Sequence, residues 1–222
     1  MKFNKIYFVL LMLLVVASQS CSDMNELTDK YLDEGEITYA AKVDSVGVRA
    51  GENRIQLDVY VKAQRVENLR VYWNNYEDSV DVEIGGKTGV FPIMLDGMPE
   101  SGYLFQLVSF DKFGNRSLEF EATGSSYGES YKNSLSNRTY TTEFTHYDVE
   151  GDSMVIYWGG TVRGAVGMEL QYTDTSDKTV RMEVPADATT TTLYNLKGNI
   201  SYNSRFLPEE NAIDTFISTS KS

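Results

Sequence analysis

Beyond about residue 50 the chain alternates hydrophobic and polar positions with a period of two. Arg54 to Lys62 sets Ile55, Leu57, Val59 and Val61 against Gln56, Asp58, Tyr60 and Lys62, the pattern of a strand that buries one face. Leu69, Val71 and Trp73 alternate likewise, and Val80, Val82 and Ile84 resume the pattern beyond a turn at Asn74-Asn75. Gly85-Gly86 then breaks the chain, Val90 to Leu95 is an apolar strand, Asp96-Gly97 is a turn, and Tyr103, Phe105 and Leu107 are a further inward set. Asp111-Lys112-Phe113-Gly114-Asn115 closes that hairpin with Gly and Asn able to take positive φ. So many short strands in so short a stretch predict an all-β sandwich.

The pattern then recurs. Met168, Leu170 and Tyr172 follow Leu69, Val71 and Trp73 at about 99 positions, Val180, Met182 and Val184 follow Val80, Val82 and Ile84 at about 100, and Tyr202 follows Tyr103 at about 99. One module is used twice. Before the paired strands of the second copy comes Met154-Val155-Ile156-Tyr157-Trp158, where Trp158 resembles the strand-B tryptophan of fibronectin type III domains. Leu196 to Tyr202 is similar to the segment leading into their tyrosine corner. The expectation is two tandem fibronectin type III/immunoglobulin-like β-sandwiches, residues 31–124 and 138–222, joined by a linker over 125–137. In that linker Tyr127, Tyr131 and Leu135 share one face at i, i+4, i+8, which predicts a short helix holding the modules at a fixed angle. A Ser-rich linker that lets them swing is the alternative.

The N-terminus carries different information. Lys2 and Lys5 precede the apolar run Ile6 to Ala17, after which comes Ser18-Gln19-Ser20-Cys21. The run is shorter than the roughly 20 residues a transmembrane helix needs and fits a secretory signal over residues 1–20. Cys21, the sole cysteine, resembles the lipidation site of a bacterial lipobox, with Ser18 where Leu is usual. Acylation there gives a membrane anchor through the acyl chains and leaves no cysteine for a disulfide. Residues 21–30 read as a polar tether. The acids Asp23 and Glu26 near Ser22 also resemble the signal that exports such lipoproteins to the outer cell surface, and a plain solvated linker fits the composition equally.

Five runs together resemble a Bacteroidetes lipoprotein family classed only as a domain of unknown function: Tyr31 to Glu36, Val71 to Asn75, Asp111 to Ser117, Tyr127 to Tyr131, and Leu207 to Asp214. The resemblance covers the mature chain. It implies an outer-membrane lipoprotein facing the cell exterior, of a kind often encoded near glycan-uptake genes, and it supplies no catalytic residues.

Charge and chemistry narrow the picture. With 20 Lys and Arg against 32 Asp and Glu the net charge is −12, and loss of Lys2 and Lys5 with the signal makes it more negative. Nucleic acid is therefore not an expected partner. His146 is the single histidine and lies in an edge-like strand pattern, so no nucleophile-His-acid site can be assembled without it. The expectation is no enzymatic activity and no cofactor. Asp148 to Asp152 and Asp174 to Asp177 are acidic turns whose spacing does not match a calcium loop, so no metal is assigned. Trp73 and Trp158 follow the inward phase and are expected in the cores. Tyr72, Tyr76, Tyr127, Tyr131, Tyr140 and Tyr147 fall off it and are candidates to stack against a ligand. Ser45, Ser79 and Ser153, each after Asp and before an apolar residue, resemble O-glycosylation acceptors of exported Bacteroidetes proteins. These features describe a non-catalytic surface lipoprotein that binds polysaccharide or joins an outer-membrane glycan-uptake complex, or else a structural spacer or adhesin making protein contacts. Convergence of the tyrosines on one patch would favour the first, and scatter the second.

Overall fold

The computed structural model describes residues 38–145 and 153–218. The expected signal segment and tether, Cys21, the run Tyr31 to Glu36, His146, Tyr147 and the turn at 148–152 lie outside the described residues. In the first module β1 (Ser45–Ala50), β2 (Arg54–Val61) and β5 (Gly89–Asp96) form one antiparallel sheet in the order β1-β2-β5. The other is β4 (Asp78–Glu83), β3 (Val66–Trp73), β6 (Ser101–Asp111) and β7 (Phe120–Ser126), in that order. The alternation read from β2 is realised, with Ile55, Leu57, Val59 and Val61 all fully buried. They meet Leu69, Val71, Phe105 and Leu107 of the facing sheet, each contributing about 1.5–3 kcal/mol by burial. β5 departs from the apolar reading: Ile93 and Leu95 point inward while Val90 and Met94 are exposed, because they share the outward phase of their partners Tyr60 and Gln56.

The second module repeats three strands over four. β8 (Tyr140–Thr145), β9 (Ser153–Trp158) and β12 (Thr190–Leu193) give the order β12-β9-β8, and β10 (Ala165–Asp174), β11 (Thr179–Pro185), β13 (Leu196–Phe206) and β14 (Phe216–Ile217) give β11-β10-β13-β14. Its core joins Ile156, Trp158 and Leu193 to Met168, Leu170, Tyr172 and Tyr202. Both modules are thus all-β sandwiches of the fibronectin type III-like kind, and both lie in one compact unit.

A pair of serines shows how the copies align. The Ser109 amide donates to Ser117 Oγ while the Ser117 amide donates to the Ser109 carbonyl. Ser204 and Ser218 make the same reciprocal pair. Ser204 therefore corresponds to Ser109, and Tyr202, which faces Leu170, corresponds to Leu107, which faces Val71. The spacing that matched Tyr202 to Tyr103 does not survive in the ladder. Tyr103 makes the short-range bond of a tyrosine corner, donating its hydroxyl to the Pro99 carbonyl at 2.8 Å. Tyr202, deeper in its strand, donates instead to the carbonyl of Arg138 at the entry to the second module.

The helix α1 (Glu129–Ser134) exists but is shorter than the periodicity suggests. Ser125 and Ser126 belong to β7, Tyr127 forms a parallel bridge with Glu52, and Leu135 is already extended. No side chain of its own caps the helix. Glu100, from the loop before β6, reaches over and accepts the amides of Ser130 and Tyr131 at 2.8 Å each, satisfying donors that a helix start leaves free.

Candidate functional site

Two places concentrate the candidate residues. The first is the junction. The connection between β13 and β14 leaves the second module and lies against the first: the Ile213 amide donates to the Ala50 carbonyl at 2.8 Å, and Arg49 Nε donates to the Asn211 carbonyl at 3.1 Å. Asp214 accepts from Arg54 Nε and the Glu52 amide, both at 2.8 Å, and from Arg54 Nη2. The Arg54 bond holds the Asp214 carboxyl below its ordinary value of 3.8, assisted by the Glu52 amide. Tyr127, Tyr131 and Phe216 stack edge to face, with centroids 4.9 Å apart for the tyrosine pair and 5.0 Å for Tyr131 and Phe216. Tyr127 OH donates to Glu209 at 3.0 Å, and Lys132 bridges to Glu52.

Close approach here depends on small residues. A Cβ on Gly51 would come within 2.7 Å of Asp214 Oδ2 and 2.8 Å of Ile213 Cγ1, and one on Gly128 within 3.0 Å of Asn53 Oδ1. Two of the distinctive runs, Tyr127 to Tyr131 and Leu207 to Asp214, therefore meet in one clamp. Beside it a crevice of about 520 Å³ is lined by Tyr131, Arg163, Val166, Leu207 and Pro208 among others.

The second place is the outer face of the first module's four-stranded sheet. Ser79, Tyr72, Gln106 and Glu121 form one row across the strands, and Asp81, Arg70 and Val108 the next. The Tyr72 ring packs at a tilt against Tyr76, with centroids 5.2 Å apart, and the Tyr76 hydroxyl donates to Glu119 at 2.8 Å. Arg70 lies between the Tyr72 and Phe110 rings and pairs with Asp81 through both nitrogens, which depresses the Asp81 carboxyl. Under this layer Gln106 is only 7% exposed, and its Oε1 has no hydrogen-bond partner among the described residues. The corresponding face of the second module is a groove of about 460 Å³ with Glu169, Gln171, Arg181, Glu183 and Asn203 on its walls and no exposed ring.

The candidate tyrosines thus separate. Tyr72 and Tyr76 are together on the sheet face, whereas Tyr127 and Tyr131 are half-buried in the clamp, where burial raises their hydroxyl pKa values. Tyr140 is half-buried against the second core and is not off the inward phase: it lies opposite Trp158 in the ladder, with its ring 5.3 Å from Tyr202. Trp158 is buried and donates Nε1 to Thr191 Oγ1, and Trp73 packs at the edge of the first core. Ser45 and Ser79 are exposed on β1 and β4, while Ser153 is buried at the start of β9 and presents no room for a sugar.

The acidic turn at Asp174 is explained locally. Asp174 Oδ1 accepts the amides of Ser176 and Lys178 at 2.9 Å, and Asp177 pairs with Lys197, so its carboxylates serve the turn. Among the described residues no three His, Cys, Asp or Glu side chains are grouped to hold a metal, and no helix is long and apolar enough to cross a membrane.

Three strands over four, twice, joined by a clamped helix, define a tandem fibronectin type III-like protein. The chain belongs to the DUF4998 family, a domain of unknown function, matched over residues 21–216. Among solved structures it is similar to the chicken CNTN1 FN1-FN3 domains, with 15% identity over 82% of this chain, 64% of that chain and a TM-score of 0.43. It is similar also to the two fibronectin type-III domain segment from chicken tenascin, with 15% identity over 82% of this chain, 97% of that chain and a TM-score of 0.33. The chain spans under two thirds of the CNTN1 structure. No protein of curated function matches it.

Proposed function

We propose that the chain is a non-catalytic, lipid-anchored protein of the outer cell surface, a rigid two-module arm that holds a contact surface away from the membrane. Cys21 carries the acyl chains, and the partners are polysaccharide or the outer-membrane proteins that import it. The observation behind this reading is the clamp, in which Asp214, Ile213 and Phe216 tie the second module to β1, β2 and α1. A free linker would suffice for mere attachment. Ordered contact across a junction is useful where orientation matters.

Small-angle scattering tests the rigidity. The mature chain should show one narrow distribution of dimensions at neutral pH, and Asp214→Asn a broader one, because Arg54 loses its ionic partner. The sign with pH follows from the depressed carboxyl. Its stabilisation is present above the ordinary 3.8 and is lost as pH falls through the lower folded value, so the arm loosens only in strong acid. Parent dimensions as broad at neutral pH as in acid would refute the rigid arm. Separately, feeding cells an alkynyl fatty acid should label the parent protein and leave Cys21→Ala unlabelled. Equal labelling of the two would remove the anchor from the reading.

A further inference from the structure

We infer that the recess above Gln106 holds one ring of a neutral, hydroxyl-rich chain molecule, a polysaccharide, which deepens the proposed reading by naming what the arm carries. The recess, about 220 Å³, is lined by Asn74, Asn75, Gly102, Tyr103, Leu104 and Gln106. Pockets that enclose a whole drug-sized ligand run to about 300–1,000 Å³. This one fits a single ring of a longer ligand lying along the surface.

The carrying observation is Gln106. Its side chain is desolvated and its carbonyl oxygen lacks a donor, an arrangement that native proteins seldom keep. The oxygen is closed to water as it stands, so a ligand hydroxyl supplies that donor once the Gln106 amide turns toward the recess it lines. The walls suit the rest of a sugar ring. Leu104 is 44% exposed and offers an apolar contact, Tyr72 is the cross-strand neighbour of Gln106, and Tyr76 follows Asn75 in the turn. Asn74, Asn75 and Tyr76 all hold positive φ, at 49°, 54° and 67°, a run that is costly for tyrosine. Bonds from Asn74 to Asp78 and from Tyr76 to Glu119 hold it in place.

Charge selects a neutral ligand. Asp81 is neutralised by Arg70 and Glu119 by Arg116, so neither is an open partner for a cation. An anion would still meet Glu121, which shares the row of Gln106, and the chain as a whole carries a net charge of −12. Gly102 forms an open part of the recess: a Cβ there would meet nothing within 4 Å, and its backbone is not in the left-handed region. Gly102→Val therefore fills the recess without strain and suits a strand.

The test titrates the detergent-solubilised mature chain with neutral hexasaccharides (β-1,4-glucan, β-1,4-xylan, β-1,4-mannan, α-1,4-glucan and β-1,4-galactan) and with hexagalacturonate as the anionic control, followed by calorimetry. At least one neutral chain should bind saturably and hexagalacturonate should not. Gln106→Leu and Gly102→Val should each weaken the binding by at least about tenfold. Gln106→Leu should also melt at a higher temperature than the parent, since it removes a desolvated acceptor. That opposition of stability and binding would not arise from a merely structural glutamine. No saturable neutral ligand, equal binding of the anionic control, or variants that bind like the parent would each overturn the inference. The binding measurement does not depend on interdomain rigidity, so its failure leaves the scattering result standing, and a loosened arm that still binds leaves the site standing.

Discussion

Phe216→Ala is expected to lower stability by about 3–5 kcal/mol and to break the single unfolding transition of the chain into two. Phe216 is 1% exposed. It lies on β14 beside Phe206 in the second module, yet its ring packs against Tyr131 and Tyr127. The hole left by the ring cannot easily collapse. Tyr127 is held by its bridge to Glu52 and its bond to Glu209, and Tyr131 by the helix that Glu100 caps. A cavity that stays open gives the upper part of the range. For a chain of this size the loss corresponds to a fall of about 10 °C in the midpoint. Calorimetry should show one endotherm for the parent and two for the variant, while Phe216→Leu, which keeps much of the volume, should cost about 1.5 kcal/mol or less. A variant that still melts in one transition near the parent midpoint would mean that the aromatic contact does not couple the modules.

The strands were legible because their information is local. Ile55 to Val61 alternate in sequence and in space, and the repeat of Leu69 and Val71 in Met168 and Leu170 reflects two sheets of the same order. A short helix in the linker was legible too, though of the three residues that suggested it only Tyr131 is helical, since Tyr127 bridges Glu52 and Leu135 is extended. What holds that helix was not, since Glu100 lies thirty residues upstream and a carboxylate in a loop has no pattern to mark it. The Arg54 and Asp214 pair spans nearly the whole described chain. No periodicity connects such residues, although the Leu207 to Asp214 run had already stood out by resemblance. Tyr140 was misassigned because phase was counted along the strand alone, whereas its pairing opposite Trp158 decides which way it points. Gln106 drew no notice: it is polar on an outward position, and its burial depends on cross-strand neighbours, Tyr72 and Glu121, that no local pattern places beside it.

Arg138→Ala should be nearly as damaging as the loss of Phe216, at roughly 3–5 kcal/mol, but by a different route, through bonds that all lie within the second module. Arg138 is 4% exposed. Its Nε donates to the Gly159 carbonyl and its Nη1 to the Ala186 carbonyl, both at 2.8 Å. Its own amide donates to Ser204 Oγ and its carbonyl accepts the Tyr202 hydroxyl. Alanine keeps the backbone bonds and strands two part-buried carbonyls, each costing up to about 1–3 kcal/mol when left without a donor, and it removes the packing of the aliphatic stem. Arg138→Lys should recover part of the loss, because one ammonium on a flexible stem cannot serve two carbonyls in the fixed geometry of a guanidinium. Tyr202→Phe should cost less than either, since only one bond is lost. Urea unfolding followed at Trp158, which lies in the second core, should therefore rank the variants Ala, Lys, Phe from most to least destabilised. With the clamp intact Trp73 should shift with it, and with Phe216→Ala added, which uncouples the modules, Trp73 in the first core should change little. If Trp73 shifts as far as Trp158 even with Phe216→Ala in place, the loss is not confined to the second module.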